Sequence, residues 1–370
     1  MTEILTFVQY LIAFLAVLSL IVVVHECGHF FVARFFGVKV EEFSFGFGKE
    51  LWAKTDKKGT RWKICLIPLG GYVKMLGDED ASSSSYSLDK VPEGERKYTF
   101  AGQARWKQAL IIVAGPAMNY VFAIILLMGL FMTVGEVKFP PVIGGLMDGY
   151  PAQTAGLQIG DRILTVNDKE INDYTDISRI VQISDYGRPL TIKVLRNKET
   201  LSFTLLPKQE EGDNKIPLIG IQSSAQTEVS FNRLNPWAAF KLSLKFAYDM
   251  TKDTLTYLGQ VLTGSRSAKE MRGPVGIAEA SGDASKEGGL SFLLFIIQIS
   301  LGVGFMNLLP VPVLDGGHLL IYLIEGLIRR PLPEKVQKFL MSIGLFVLLG
   351  LFLWTMALDI PRIIQRVFLK

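Results

Sequence analysis

Residues 4–29 read ILTFVQYLIAFLAVLSLIVVVHECGH. Ile4 to Val24 is a run of 21 residues without a charge. A helix of that length rises about 31 Å, close to the ~30 Å hydrocarbon core of a bilayer. No basic segment precedes the run and no small-residue cleavage pattern follows it, so a retained span is expected rather than a leader. Apolar character resumes in Phe30-Phe31-Val32-Ala33 and stops at Arg34. Set deeper, roughly over Leu11 to Ala33, the same helix leaves Arg34 to snorkel and puts His25 and His29 inside the membrane. The chain holds three histidines, His25, His29 and His318, so two of them four residues apart need a reason. Four helical steps turn about 400°, which sets both imidazoles on one face, one turn apart. That arrangement suits two ligands of a tetrahedral zinc, with Glu26 beside them to take a proton from water. Cys27 lies about 200° round from His25 and reads as a small apolar residue; Cys65 reads the same way.

Outward from this segment the pattern repeats. Ala109–Val134, Leu290–Leu309 and Phe339–Leu358 are further charge-free runs, giving four expected spans. Gly115-Pro116 and Asn119 in the second run predict a kink and a polar inward face. Of the 370 residues 49% are hydrophobic and 20% charged, with a mean hydropathy of +0.32. Soluble domains carry nearer 25% charged residues, roughly, and a disordered or collagenous chain is excluded. Two cysteines exclude a disulfide framework. The net charge of +4 forms no basic stripe, so no nucleic-acid partner is expected. The segment before the first span has no Lys or Arg, and the loop 34–107 has 14. That bias places the loop in the cytosol and both termini outside. Arg362, Arg366 and Lys370 in the tail run against it and are assigned to an amphipathic end on the outer surface.

The cytosolic loop alternates Phe43, Phe45 and Phe47 with small residues, then Trp62, Ile64 and Leu66 across the turn Asp56-Lys57-Lys58-Gly59. Gly70-Gly71-Tyr72-Val73-Lys74-Met75 is apolar for a loop and is expected to dip into the bilayer, shielded by protein. Ser82–Ser85 is low complexity. About 150 residues of ordinary soluble composition separate spans two and three. Strands are expected at Thr191–Leu195 and Leu201–Leu205, and a helix near Ser178. Asn235 and Pro236 open a long amphipathic helix whose Trp237, Phe240, Leu244 and Ala247 predict a place along the membrane surface.

Two histidines need a third ligand. Asp315, His318 and Glu325 all follow the third span. The stretch from Asn307 to Gly317 is dense with helix breakers, and lipid tolerates irregular backbone only where it lines a protein cavity. Asp315, between that stretch and a renewed helix, is well placed to face inward. His318 reads as outer support for the site, and Glu325, beside Gly326 and Arg329, as an exposed charge. Asn119 and Asn307 are intramembrane amides that either bridge helices or hold a substrate carbonyl.

These motifs together resemble the site-2 protease family of intramembrane zinc metalloproteases, in its bacterial, anti-sigma-factor-cleaving regulator type. The likeness rests on the membrane HExxH of 25–29, the run Asn307-x-x-Pro310-x-Pro312-x-Leu314-Asp315-Gly316, and four spans. Gly70 to Met75 is similar to the family's membrane-associated β-loop. Gly115-Pro116-x-x-Asn119 and Gly273-Pro274-Val275-Gly276-Ile277 are similar to family motifs. Ala152 to Asn167, with Ala155-Gly156-Leu157 and Gly160-Asp161-Arg162-Ile163, resembles a PDZ domain. One copy is evident, and 208–235 is too short for a second.

The resemblance implies a polytopic α-helical membrane protein with four transmembrane helices, a membrane-associated β-hairpin and an inserted α+β PDZ-like domain. The expected parts are the first span (1–34), the cytosolic loop (35–108), the second span (109–135), the PDZ domain (140–208), a linker with the surface helix (209–289), the third span with its ligand segment (290–330), and the fourth span with the tail (336–370). The resemblance implies one zinc held by His25, His29 and Asp315, with Glu26 as general base. It also implies Asn307, Asn119, Gly70, Gly71 and Tyr72 about the substrate, and His318 behind the ligands. Implied substrates are single-span membrane proteins, anti-sigma factors or signal-peptide remnants, trimmed first by a site-1-type protease. The implied setting is a bacterial cytoplasmic membrane, with the PDZ domain outside and the site towards the cytosol. A catalytically silent scaffold that presents a PDZ domain is the alternative reading.

Overall fold

A computed structural model describes residues 2–78, 91–184, 187–209, 217–223, 230–266, 273–330 and 332–368. The serine tract 82–85, the side chains of Arg362 and Arg366, and Lys370 lie outside the described residues. In chain order the elements are α1 (Thr2–Phe35), β1 (Val40–Thr55), β2 (Arg61–Met75), α2 (Arg105–Thr133), β3 (Glu136–Lys138), β4 (Ile143–Leu146), α3 (Pro151–Thr154), β5 (Arg162–Val166), β6 (Lys169–Glu170) and α4 (Tyr174–Gln182). They continue as β7 (Leu190–Arg196), β8 (Glu199–Leu205), β9 (Lys208–Gln209), β10 (Pro217–Leu218), β11 (Ile221–Ser223), β12 (Ser230–Asn232), α5 (Pro236–Leu262), α6 (Pro274–Glu287), α7 (Gly289–Leu308), α8 (Asp315–Ile328) and α9 (Glu334–Phe368). Two compact units result, one of residues 1–126 with 272–370 and one of residues 127–271.

Four helices of the described residues are long and apolar enough to cross a membrane: Leu5–Phe35, Arg105–Thr133, Gly289–Leu308 and Lys335–Asp359. Between the first two lies the hairpin of β1 and β2. It folds back on itself: 50–55 pair with 61–65, 42–45 with 61–64, and 40–47 with 67–75. Gly46 and Gly48, at φ 86°, supply the left-handed backbone where β1 turns back. The segment 71–75 is therefore paired on one side, by 40–45, and its other side is an edge. The turn expected at 56–59 forms: Asp56 accepts from Lys58 N at 2.8 Å, Thr60 N at 3.1 Å and the Arg34 guanidinium at 2.6 Å. Phe30 of α1 packs against Phe43 and Trp62, with ring centroids 5.3 and 5.1 Å away, which docks the hairpin on the helix that carries the two histidines.

α6 was not expected from the sequence, where its residues read as linker. It packs on α1 through glycine: a Cβ at Gly282 would fall 2.2 Å from the Tyr10 ring. Its first turn is capped from a distance. Asp359 of α9, 1% exposed, accepts from Gly273 N at 3.2 Å and Gly276 N at 3.0 Å. A buried carboxylate is tolerable there because a helix N-terminus presents unpaired N–H groups and partial positive charge.

The second unit holds an α+β insert. Its sheet has the order β6-β5-β7-β8, and β11 returns to pair with β4, Ile221 opposite Leu146. β7 alternates, turning Leu190, Ile192 and Val194 into a core shared with Ile143, Ile163 and Ile177. α4 begins in a capping box in which Asp173 accepts from Thr175 N at 2.8 Å and Asp176 accepts from Asp173 N at 3.3 Å. Asp161, 1% exposed, is held by Arg196 at 2.6 Å. α5 starts where Asn235 and Pro236 predict, with the Asn235 side chain accepting from Ala238 N at 2.9 Å. Its expected outer face needs correction, since Ala247 is buried. The open face is Trp237, Leu244, Tyr248, Leu255 and Leu262.

Candidate metal centre

His25 and His29 project from one face of α1 towards α2 and the start of α8. The helices approach closely because glycines meet there. A Cβ at Gly28 would sit 2.0 Å from Ala114 O, and one at Gly115 would sit 2.3 Å from His29 Nε2 and 2.8 Å from His25 Nε2. Asp315 reaches the same point as the first residue of α8. The chain before it is irregular, and Val313 has φ 84°, a strained conformation for a β-branched residue. Gly316 and Gly317 let that loop lie against the new helix, since a Cβ on either would fall within 2.4 Å of a carbonyl oxygen, Leu309 O or Val311 O.

His25 Nε2 stands 3.1 Å from His29 Nε2 and 3.0 Å from Asp315 Oδ2, and His29 Nε2 is 3.6 Å from Asp315 Oδ1. Tetrahedral zinc with bonds of ~2.0–2.1 Å separates its ligand atoms by about 3.3 Å. Asp315 Oδ2 is buried without a hydrogen-bond partner. His29 Nδ1 donates to Ile111 O at 2.8 Å, which leaves Nε2 as the bare lone pair. Converging lone pairs and an orphaned carboxylate oxygen repel one another unless a cation lies between them, so the residues fit zinc. Among the described residues these three form the cluster able to hold a metal.

Glu26 lies beside the cluster and accepts a hydrogen bond from the amide of Val73, in the edge segment of β2. A cavity of ≈ 590 Å³ contains Glu26, both histidines and Asp315, together with Gly71, Tyr72, Asn307 and His318. Tyr72 is fixed from behind, its hydroxyl accepting from Lys63 Nζ at 2.7 Å and donating to Glu42 Oε2 at 3.0 Å.

Three sequence expectations change. Asn119, placed about the substrate, is fully buried behind His25, 3.4 Å from Nδ1, and its Oδ1 has no partner. Turning that amide over lets His25 Nδ1–H donate to Oδ1 and bares Nε2, as at His29. Gly70 stands outside the cavity lining, at φ 110° against Phe47 and Val22. Glu325 is 5% exposed rather than solvated: it pairs with Arg105 at 2.9 Å and accepts from Leu332 N at 2.9 Å. It ties α8 to α2, away from the metal cluster. Gly115 was visible as part of a motif, but its role as the space in front of two imidazoles needs the helix crossing. Phe47, Val313 and Ile111 line the cavity without any mark in the sequence beyond apolarity.

Residues 13–351 match the pattern of peptidase family M50. A protein of Rickettsia conorii, named provisionally as a zinc metalloprotease, is 37% identical over 95% of this chain and 99% of its own length. One of Agrobacterium fabrum with the same provisional name is 38% identical over 96% of each. The metalloprotease MmpA of Caulobacter vibrioides is 34% identical, again over 96% of each. A solved PDZ domain of a Listeria monocytogenes SdrC-like protein covers 24% of this chain and 92% of its own, at 17% identity and TM-score 0.21, too faint a likeness to assign a fold. A match that runs through the first span, the hairpin, the insert and the last span alike leaves one conclusion: the chain belongs to peptidase family M50, the site-2 protease family, and is a zinc metalloprotease.

Proposed function

We propose that this protease cuts peptide bonds within or beside the transmembrane segment of single-span membrane proteins. The observation that carries the proposal is the meeting of His25, His29 and Asp315 within 4.8 Å, next to Glu26, on helices long and apolar enough to cross a bilayer. His25, His29 and Asp315 hold the zinc, and His318 supports them. When bound, zinc supplies Lewis acidity at that corner of the cavity. Glu26 takes the proton from the attacking water and passes it to the leaving amine. Asn307 orients the scissile carbonyl. A helical substrate hides its carbonyls in i→i−4 bonds, so the cut segment is extended. The edge at Gly71–Met75 receives it as an added strand, with Tyr72 against its side chains.

The insert limits which substrates reach the site, through a PDZ-like fold on the outer side. Anti-sigma factors or signal-peptide remnants, already shortened by another protease, are the substrate types that such a restriction admits. The setting is a bacterial cytoplasmic membrane with both termini outside. Glu26→Gln keeps the side chain's shape and removes the base, so zinc content is expected to be unchanged. Cleavage of tagged single-span proteins falls by ~10²–10⁴-fold. Loss of zinc from this variant, or fragments that persist at the wild-type rate, refutes the assignment.

A further inference from the structure

α5 has two chemically different faces. One is buried at Ala239, Ser243 and Ala247. On that side Asp249 and Asp253 reach Arg179 of α4 at 3.0 and 3.6 Å, and Gln260 donates to Ile183 O at 2.7 Å. The other face is open: Trp237 is 63% exposed, Tyr248 64%, Leu255 58% and Leu262 87%. With Leu244 these positions fall within about 40° of one another around the helix. Lys241, Lys245 and Lys252, all exposed, form a second stripe about 60° away. Both acidic residues of the helix turn to Arg179, so the exposed charges of the helix are the three lysines.

The start of α5 is fixed at the height where the second span ends. Leu234 N donates to Phe131 O in the last turn of α2 at 3.1 Å, and β12 pairs with β3 immediately after that span. A helix that leaves a membrane span with aromatic and leucine side chains on one stripe and lysines on the next matches the headgroup boundary. Its cations suit phosphate better than they suit a neutral surface.

We propose that α5 lies in the membrane interface, its Trp237–Leu262 stripe at the acyl boundary and Lys241, Lys245 and Lys252 on the phosphates of anionic phospholipids. Because Arg179 ties α4 to α5, anionic lipid then sets how firmly the insert is held at the bilayer. The test uses the full chain in vesicles of phosphatidylcholine alone or mixed with phosphatidylglycerol, doped with lipid brominated high on its acyl chains. The difference between wild type and Trp237→Phe isolates the quenching of Trp237. Trp237 is expected to be quenched, and more strongly with phosphatidylglycerol. Lys241→Glu, Lys245→Glu and Lys252→Glu together are expected to abolish the lipid-dependent part, each lysine contributing about fivefold in occupancy of the interface. The triple glutamine variant makes the same comparison where charge reversal disturbs the helix. An unquenched Trp237 in both lipids overturns the proposal and leaves this face to a protein partner. Equal quenching in both lipids, or lipid dependence that survives loss of the lysines, overturns the assignment to anionic headgroups.

Discussion

A single methyl group at position 115 would stand 2.3 Å from His29 Nε2, where a ligand's lone pair must point. Gly115→Ala is therefore expected to lower zinc occupancy as severely as Asp315→Ala, although it removes no donor atom. Glu325→Gln behaves in the opposite way. It keeps zinc, because Glu325 faces Arg105 and Leu332 rather than the cluster. It lowers stability by about 1–3 kcal/mol, the cost of weakening charge-assisted bonds to a buried group. Zinc content and thermal unfolding of the three variants, measured side by side, check both statements, and zinc loss from Glu325→Gln would reopen it as a ligand. From sequence Glu325 looked like a solvated charge because Gly326 and Arg329 follow it. Its partners come from α2, from Leu332 before α9 and from Gln337 within α9, which no local pattern joins. His25 and His29 were legible for the opposite reason, since their spacing within one helix fixes their geometry.

The hairpin and α6 show the same divide at the level of elements. The turn of the hairpin was written in Asp56-Lys57-Lys58-Gly59, where an Asx side chain and a glycine act locally. Its folding back was not legible, because the pairing of 42–45 with both 61–64 and 71–74 depends on register over thirty residues. α6 was missed because its inward residues, Gly276, Ser281, Gly282 and Ala284, are small and give no apolar stripe. The turn also sets a pH response. Burial pushes the Asp56 carboxyl up, but hydrogen bonds from Arg34, Trp62, Thr60 and Lys58 outweigh it and bring it down to about 2, below the ordinary 3.8. A carboxyl lowered in the folded state adds stability above its unfolded value and loses it as pH falls through the folded one. Wild type should therefore melt above Asp56→Asn at neutral pH, and the gap should close between about pH 4 and pH 2. Melting temperatures of the two proteins across that range provide the check; a gap that stays constant down to pH 2 excludes Asp56 as its source.

At the scale of the whole molecule, the metal cluster joins residues from distant parts of the chain, and the residues that separate them in sequence include a compact unit of their own. The charge-free runs made the four helices legible. That a third ligand must come to α1 followed from the chemistry of ligand number, and the helix breakers of Asn307–Gly317 pointed to Asp315, the first residue of α8. The insert's closure was hidden for a related reason, since β11 pairs with β4 across about 75 residues. The structure does offer a clean way to remove it. β3 and β12 form a two-stranded stem in which Lys138 opposes Ser230. Residues 139–229 can therefore be replaced by Asn-Gly, which closes a two-residue turn across an opposed pair. The shortened chain is expected to bind zinc and to retain the stem. An insert that acts as a steric filter restrains intact substrates with bulky outer domains, so its removal should let them be cut as fast as trimmed ones. An insert that recruits newly exposed C-termini should instead slow cleavage of the trimmed substrate when removed. Rates for both substrates, before and after excision, separate the two roles. The filter is ruled out if the shortened, zinc-loaded protease still rejects the intact substrate.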